Sequence, residues 1–290
     1  MNPSTETHFR AALVQTRASR DIASNLDRAE ALIRQAAKGG AVYVQTPENT
    51  ALMELEPARV LKLVEPEAES EPLARMRALA AELGIWLHVG SLGIKLGEGR
   101  VANRSFVIAP DGEIAARYDK LHMFDVDLAG GESYRESQYY GPGSKAVLAD
   151  LPFGRLGITI CYDLRFPALY RALATAGANL IAIPAAFTKQ TGQAHWHVLV
   201  RARAIETGAF VFAATQGGAH ENGRETFGHS LIVSPWGEIL AEAGEDPCVI
   251  FADIDLNQSE AARARIPALK HGRPFEIEIA TPGLACKEAS

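Results

Sequence analysis

The chain has 290 residues, 47% of them apolar and 22% charged, an ordinary globular balance with length enough for one large α/β domain. A net charge of −6 argues against a nucleic-acid surface, and no apolar run approaches the ~18 residues of a membrane span. The three cysteines, Cys161, Cys248 and Cys286, form neither a disulfide framework nor a CxxC pair, which fits a reducing cytoplasm and argues against a structural zinc site; Met1–His8 is polar and lacks the apolar core of a signal peptide.

Short apolar strands alternate with amphipathic helices. Phe9–Thr16 reads as a strand. Asp21–Lys38 reads as a helix with Ile22, Leu26, Ala29, Ile33 and Ala36 on one face, stopped by Gly39-Gly40. Ala41–Gln45 is a strand, Ser70–Leu83 a helix and Ile85–Gly93 a strand. Val101–Ala109 and Glu113–Tyr118 form a hairpin about Pro110-Asp111-Gly112. Leu156–Cys161 is a strand, Pro167–Ala176 a helix, Asn179–Pro184 a strand, His195–Thr207 a helix and Ala209–Thr215 a strand. His229–Pro235 and Glu238–Ala243 pair about Trp236-Gly237, followed by a strand at Val249–Ile254 and a helix at Gln258–Arg265. The alternation requires sheets covered by helices, and the hairpins make those sheets mixed. With no linker, low-complexity tract or repeat, the expectation is one domain over residues 9–274, built of two sheets with helices on the outer faces, and a tail at 275–290.

Three polar residues stand where strands end. Glu48 leaves Ala41–Gln45 in T-P-E-N-T, where Pro47 keeps its neighbour out of helix. Lys120 follows Glu113–Tyr118 in R-Y-D-K-L-H-M-F-D-V-D. Cys161 ends its own strand in I-T-I-C-Y-D-L-R-F-P. Clefts of α/β proteins open at strand C-terminal ends, so neighbouring strands would bring an acid, an ammonium and a thiol together. A thiol is mostly protonated at neutral pH. A carboxylate within reach can take its proton as the sulfur attacks an acyl carbon. The ammonium then stabilises the oxyanion, helped by the backbone N–H of Tyr162.

The motifs T-P-E-N, Y-D-K-L-H-M-F-D-V-D and G-I-T-I-C-Y-D-L-R-F-P, in that order, resemble the carbon–nitrogen hydrolase (nitrilase) superfamily over Phe9 to about Pro274. The resemblance implies an α-β-β-α sandwich that pairs into a dimer of doubled thickness, and a Glu–Lys–Cys triad on Glu48, Lys120 and Cys161. It implies a second glutamate that orients the lysine and the substrate; Glu136 matches by offset and Glu132 competes with it. Thr191–Thr207, Ala213–Gly218 and Pro235–Glu238 are similar to the amidase branch. Leu128-Ala129-Gly130-Gly131 replaces the Pro-Gly usual there, which leaves the pocket loop and the acyl group open. The implied activity is a cofactor-free thiol amidohydrolase that cleaves a linear, carboxylate-bearing amide through a cysteine thioester, with deaminated glutathione the leading substrate. Alternatives are ω-amidase action on α-ketoglutaramate, nitrile hydrolysis, N-carbamoyl amino acid cleavage, or a catalytically silent scaffold. The implied assembly is a homodimer or a larger homo-oligomer, cytoplasmic, with neither nucleic acid nor membrane as partner.

Around the triad, Arg165 reads either as a clamp for a substrate carboxylate or as a helix-terminal or dimer-contact arginine. Phe124, Phe187, Thr188 and Trp196 read as pocket walls or as packing. His195 and His197, two apart on a helix, diverge and do not suit joint metal ligation. His122 invites a Cys–His reading that Glu48 makes unnecessary. Cys248 and Cys286 read as non-catalytic, Asn103-Arg104-Ser105 as a chance glycosylation pattern. No phosphate-binding glycine motif occurs.

Overall fold

The computed structural model describes residues 7–279 except residue 98. Cys286, most of the 275–290 tail and the first six residues therefore lie outside the described part. The first half of the chain runs β1 (His8–Gln15), α1 (Ile22–Lys38), β2 (Tyr43–Gln45), α2 (Pro57–Leu63), α3 (Glu71–Leu83), β3 (Trp86–Lys95), β4 (Val101–Ile108) and β5 (Ile114–Asp119). A small hairpin follows, β6 (Asp125–Asp127) and β7 (Ser133–Arg135). The second half runs β8 (Val147–Leu151), β9 (Gly154–Ile158), α4 (Pro167–Thr175), β10 (Leu180–Ala182), α5 (Lys189–Thr207) and β11 (Phe210–Ala213). A second hairpin, β12 (Gly217–Ala219) and β13 (Glu225–Phe227), precedes β14 (Leu231–Val233), β15 (Ile239–Glu242), β16 (Cys248–Asp255) and α6 (Asn257–Arg265).

Two six-stranded sheets result, ordered β16-β1-β2-β3-β4-β5 and β15-β14-β11-β10-β9-β8. Each has three parallel strands at its centre (β1-β2-β3 and β9-β10-β11) and antiparallel strands on the flanks. Period-two alternation explains how the first sheet is covered on both sides. From β1, Phe9, Ala11 and Leu13 face the second sheet, in one core with Leu156, Ile181 and Phe212. Ala12 and Val14 face outward, against Leu26 and Ile33 of α1 and Met76 of α3. On the second sheet, α4 and α5 supply Tyr170, Leu173, Trp196, Val200 and Ala204 to the core. The layers are thus α-β-β-α, as the alternation of elements predicts.

Cap chemistry sets the helix limits. The Asp21 side chain accepts from the N–H of Ser24, and that of Ser70 from Leu73, while α3 and α5 end on Gly84 and Gly208 in the left-handed conformation. Two predicted boundaries move most. Helix α5 begins at Lys189 rather than His195, because Gly192 lets the helix run in contact with Phe227, to whose Cβ a methyl group there would come within 2.3 Å. The predicted strand Leu156–Cys161 ends at Ile158, and Cys161 opens a 3-10 turn at Cys161–Arg165. Helix α2, strand β8 and the two small hairpins carry too little apolar periodicity to be read in advance.

Candidate active site

The exit from β2 is clamped onto a bulge in β3. The ladder to β4 shifts register between Val89 and Leu92. Within that bulge, Gly90 N–H donates to Thr46 Oγ1 (3.0 Å) and Ser91 N–H to Pro47 O (3.2 Å). The Asn49 N–H donates in turn to Ser91 Oγ at 2.9 Å. The backbone of Thr46 and Pro47 passes so close that a Cβ on Gly90 would lie 2.1 Å from Thr46 O. Only glycine permits that approach, and it fixes Glu48 immediately beyond. Lys120 follows the last residue of β5, its N–H donating to Asn103 O on β4 at 3.0 Å. Cys161 comes from the other sheet, so the three residues meet across the two sheets and not, as their strand positions suggested, within one.

Cys161 has φ +46°, a left-handed conformation that costs a non-glycine residue ~1–2 kcal/mol and persists only where surroundings enforce it. Its N–H is held by Pro184 O at 2.9 Å. The turn is held from inside by Asp163, which is fully buried. Asp163 Oδ2 accepts from Ile160 N–H (2.8 Å) and Tyr118 OH (2.7 Å). Asp163 Oδ1 is shared by the N–H (3.1 Å) and the Nδ1 (2.7 Å) of His122. From α5, buried Arg203 donates twice to Leu164 O, at 2.9 and 2.7 Å. His122 stacks on Phe166 with 3.5 Å between ring centres; it serves the turn, not the thiol.

Lys120 is 2% exposed and Glu48 3%. Lys120 Nζ donates to Glu48 Oε1 at 2.9 Å and to both oxygens of Glu136 at 3.0 and 2.9 Å. Asn103 Nδ2 bridges the same two carboxylates, 2.9 Å from Glu48 and 3.2 Å from Glu136. Glu136, just beyond β7, also accepts the N–H of Phe124 at 2.6 Å. Glu132 instead takes the hydroxyl of Tyr134, so Glu136 is the carboxylate at the lysine. The second oxygen of Glu48 accepts Ala186 N–H at 2.9 Å, and its carbonyl accepts Gln216 Nε2 at 3.0 Å.

Burial pushes the Glu48 carboxyl up, but the charge and hydrogen bond of Lys120, helped by Arg224, more than reverse this and hold it ionised. Burial works against the Lys120 ammonium, yet Glu136 and Glu48 raise it well above its ordinary range. The Cys161 thiol is pushed far up by burial and by the negative charge of Glu48. The resting site therefore holds a neutral thiol beside the charged Glu48–Lys120 pair. Such a thiol becomes a nucleophile only when the proton leaves as the carbon–sulfur bond forms.

Glu48, Lys120, Glu136 and Cys161 all line one cavity of about 290 Å³, together with β7 and the chain around Leu55 and Pro57. Phe124 lines it too, and Tyr162 supports that wall edge-on at 5.2 Å. The remaining expected contacts sit apart from it. The Arg165 guanidinium lies 5.1 Å over the Phe187 ring, and its Nη2 is 3.3 Å from His195 Nδ1. Trp196 is fully buried and donates to His229 O at 2.8 Å; Thr188 Oγ1 is bonded to Thr191 Oγ1 at 2.7 Å. His197 turns away from His195, to Glu242 at 2.9 Å. Four residues escaped the sequence reading. Asn103 had a usable signal, an amide inside the apolar run of β4. Asp163 follows Cys161 by two, Gln216 lies between strands, and Arg224 sits in a polar turn with nothing to mark it.

The sequence profile of the carbon–nitrogen hydrolases matches residues 10–264. The chain is 40% identical over 265 residues to a deaminated glutathione amidase from Yersinia enterocolitica, spanning 90% of this chain and 92% of the relative. It is 34% identical over 278 residues to a human omega-amidase, spanning 95% and 100%. Among solved structures, a Glu-to-Gln variant of an amidase from Nesterenkonia sp. AN1, showing covalent addition of the acetamide moiety of fluoroacetamide at the active site cysteine, superposes with a TM-score of 0.79. Its identity is 25%, and the match spans 94% of this chain and 95% of that one. Fold and relatives agree that this chain belongs to the carbon–nitrogen hydrolase family, in the amidase branch of the nitrilase superfamily, and is a hydrolase of carbon–nitrogen bonds.

Proposed function

We propose that the protein is a thiol amidohydrolase in which Cys161 is the nucleophile, Glu48 the general base and acid, and Lys120 the oxyanion donor, with deaminated glutathione as the leading substrate. The observation that carries this reading is the convergence of Glu48, Lys120 and Cys161 on one cavity. As Sγ attacks the amide carbon, its proton passes to Glu48. The carbonyl oxygen becomes an oxyanion facing the Lys120 ammonium and the N–H of Tyr162; first N–H groups of a helical turn have no partner within it. Collapse breaks the carbon–nitrogen bond and the amine departs with the proton from Glu48. Water then attacks the thioester, Glu48 takes its proton, and acid and thiol are released. Glu136 positions Lys120, holding the ammonium by two contacts while its other bonds run to Asn103 and Phe124.

Denaturing mass spectrometry of Glu48→Gln with substrate tests the scheme: an acyl adduct on Cys161 is expected, since deacylation loses its base. Hydrolysis surviving in Cys161→Ala sinks it. Release of 2-oxoglutarate from deaminated glutathione and from α-ketoglutaramate, beside turnover of nitriles and N-carbamoyl amino acids, ranks the substrates; comparable nitrile rates would overturn the amidase assignment. A nucleophile that must remain a thiol also suits the cytoplasm.

The same reading includes a homodimer formed through α5. Val198 and Ile205, two turns apart on one helical face, are 69% and 55% exposed. Ile205 joins Trp236 and Ile266, 51% and 60% exposed, along an apolar groove of about 680 Å³ between α5 and α6. A face of this kind buries itself against a second copy. Further along the chain, Phe275, Ile277 and Ile279 are also exposed.

A further inference from the structure

Arg224 is a cation at the active-site cavity with no carboxylate committed to it. It precedes β13 and lines the cavity with Cys161. Every cavity carboxylate on the triad side is engaged elsewhere. Glu48 and Glu136 are held by Lys120, and Glu54 by Arg20 (2.8 Å) and Arg59 (3.1 Å). The neighbouring cavity arginine, Arg135, is paired with Asp127 at 2.7 Å. Among the described residues no ion pair reaches Arg224. Its guanidinium is nonetheless fixed in place. It lies 5.1 Å over the ring of Tyr134 and donates through Nη2 to Ala186 O, on the residue whose N–H holds Glu48. Its Nε is buried with no hydrogen-bond partner.

An oriented guanidinium that lines a cavity and has no carboxylate partner favours an anionic ligand there. Charge gives the ligand's sign. Glu48, Glu136 and Lys120 together carry one negative charge, which repels an anion, and Arg224 cancels it. A cavity of about 290 Å³ is at the small end for ligand sites, so the anion belongs to a short acyl group. Arg165, the arginine the sequence offered for this task, lies over Phe187 and is not among the residues that line the cavity.

We infer that Arg224 anchors the carboxylate on the acyl half of the substrate, and so sets how strongly the enzyme prefers a carboxylate-bearing amide to a neutral one. This inference rests on the amidase reading for its substrate but not for the anion site itself. A neutral analogue leaves the guanidinium without a counter-charge in the cavity, so discrimination arises from the cation left unpaired as much as from the pair formed.

The test compares glutaramate with pentanamide, its neutral isostere, in the wild type, Arg224→Gln and Arg224→Lys. In Arg224→Gln, the ratio of kcat/KM for glutaramate over pentanamide should fall about 10–100-fold, the range of a charge-assisted pair, chiefly through KM. Arg224→Lys should recover part of it, since charge is kept and the planar fork lost. Independently of turnover, glutarate should protect Cys161 from iodoacetamide in the wild type and fail to do so in Arg224→Gln. An unchanged ratio, or glutarate protection that survives in Arg224→Gln, overturns the inference while leaving the amidase standing. Arg224-dependent protection in an enzyme that hydrolyses no amide upholds the anion site and sinks the amidase reading instead.

Discussion

Asp163→Asn tests whether the strained turn at Cys161 is held by a single buried carboxylate. Asp163 accepts four hydrogen bonds, two on each oxygen. An asparagine of the same shape keeps one oxygen and turns an NH2 toward the other pair of donors. The Tyr118 hydroxyl or the His122 ring can reverse its role and accept. The backbone N–H that shares that side, Ile160 in one orientation or His122 in the other, cannot. One buried N–H left unpaired costs ~1–3 kcal/mol, and the surviving bonds lose the benefit of a charged acceptor, ~1 kcal/mol. The sum is about 2–4 kcal/mol, which in domains somewhat smaller than this corresponds to a melting temperature lower by roughly 4–16 °C. The left-handed Cys161 is also free to relax, and a misplaced nucleophile loses ~100-fold in rate. Thermal melting, with the rate of Cys161 acylation measured in the folded protein by mass spectrometry, reads both effects. A variant that melts within a degree or two of the wild type and acylates at the same rate refutes the role given to Asp163.

Three further outcomes are expected. Gly90→Ala should destabilise by ~1–3 kcal/mol or more, because the new methyl meets backbone oxygens at 2.1 and 2.4 Å; acylation should slow with it, and unchanged denaturant midpoints and acylation rates would remove the β3 bulge from the account of Glu48. His88 is fully buried between Tyr43 OH (2.8 Å) and Ser105 Oγ (2.7 Å), and burial lowers its pKa from 6.5 to about 3. The unfolded chain therefore binds a proton that the folded chain refuses, so this stability is full above about pH 6.5, is lost as pH falls from there toward 3, and declines by ~1.4 kcal/mol per pH unit. Urea titrations at pH 7 and 5 should show that slope in the wild type and a shallower one in His88→Gln; equal slopes would contradict it. Sedimentation should give a dimer for the wild type and a monomer for Ile205→Asp with Trp236→Asp; a monomeric wild type would rule out the α5 interface.

Much of this protein was legible as local pattern. The caps at Asp21 and Ser70, the apolar face of α1 and the hairpin at Pro110-Asp111-Gly112 are local signals, because helix and turn formation depend on residues within a few positions of one another. The alternation of elements determined the layering, since each apolar face must be covered. The motifs around Glu48, Lys120 and Cys161 pointed to the same three residues that the fold brings to one cavity. The motif offset favoured Glu136 but left Glu132 in competition, because the two flank the same short strand and only its placement decides which side chain faces Lys120.

What the tertiary structure alone decided is long-range. Glu48, Lys120 and Cys161 come from two sheets, Asp163 binds Tyr118 forty-five residues away, and Arg224 reaches the cavity from a turn with no pattern of its own. Contacts of this kind arise from packing between elements far apart in the chain, and no period or spacing encodes them. The physical reason extends to the thiol itself: Cys161 as a residue type permits a nucleophile, but its burial, its left-handed backbone and the charges set around it come from residues that only folding makes its neighbours.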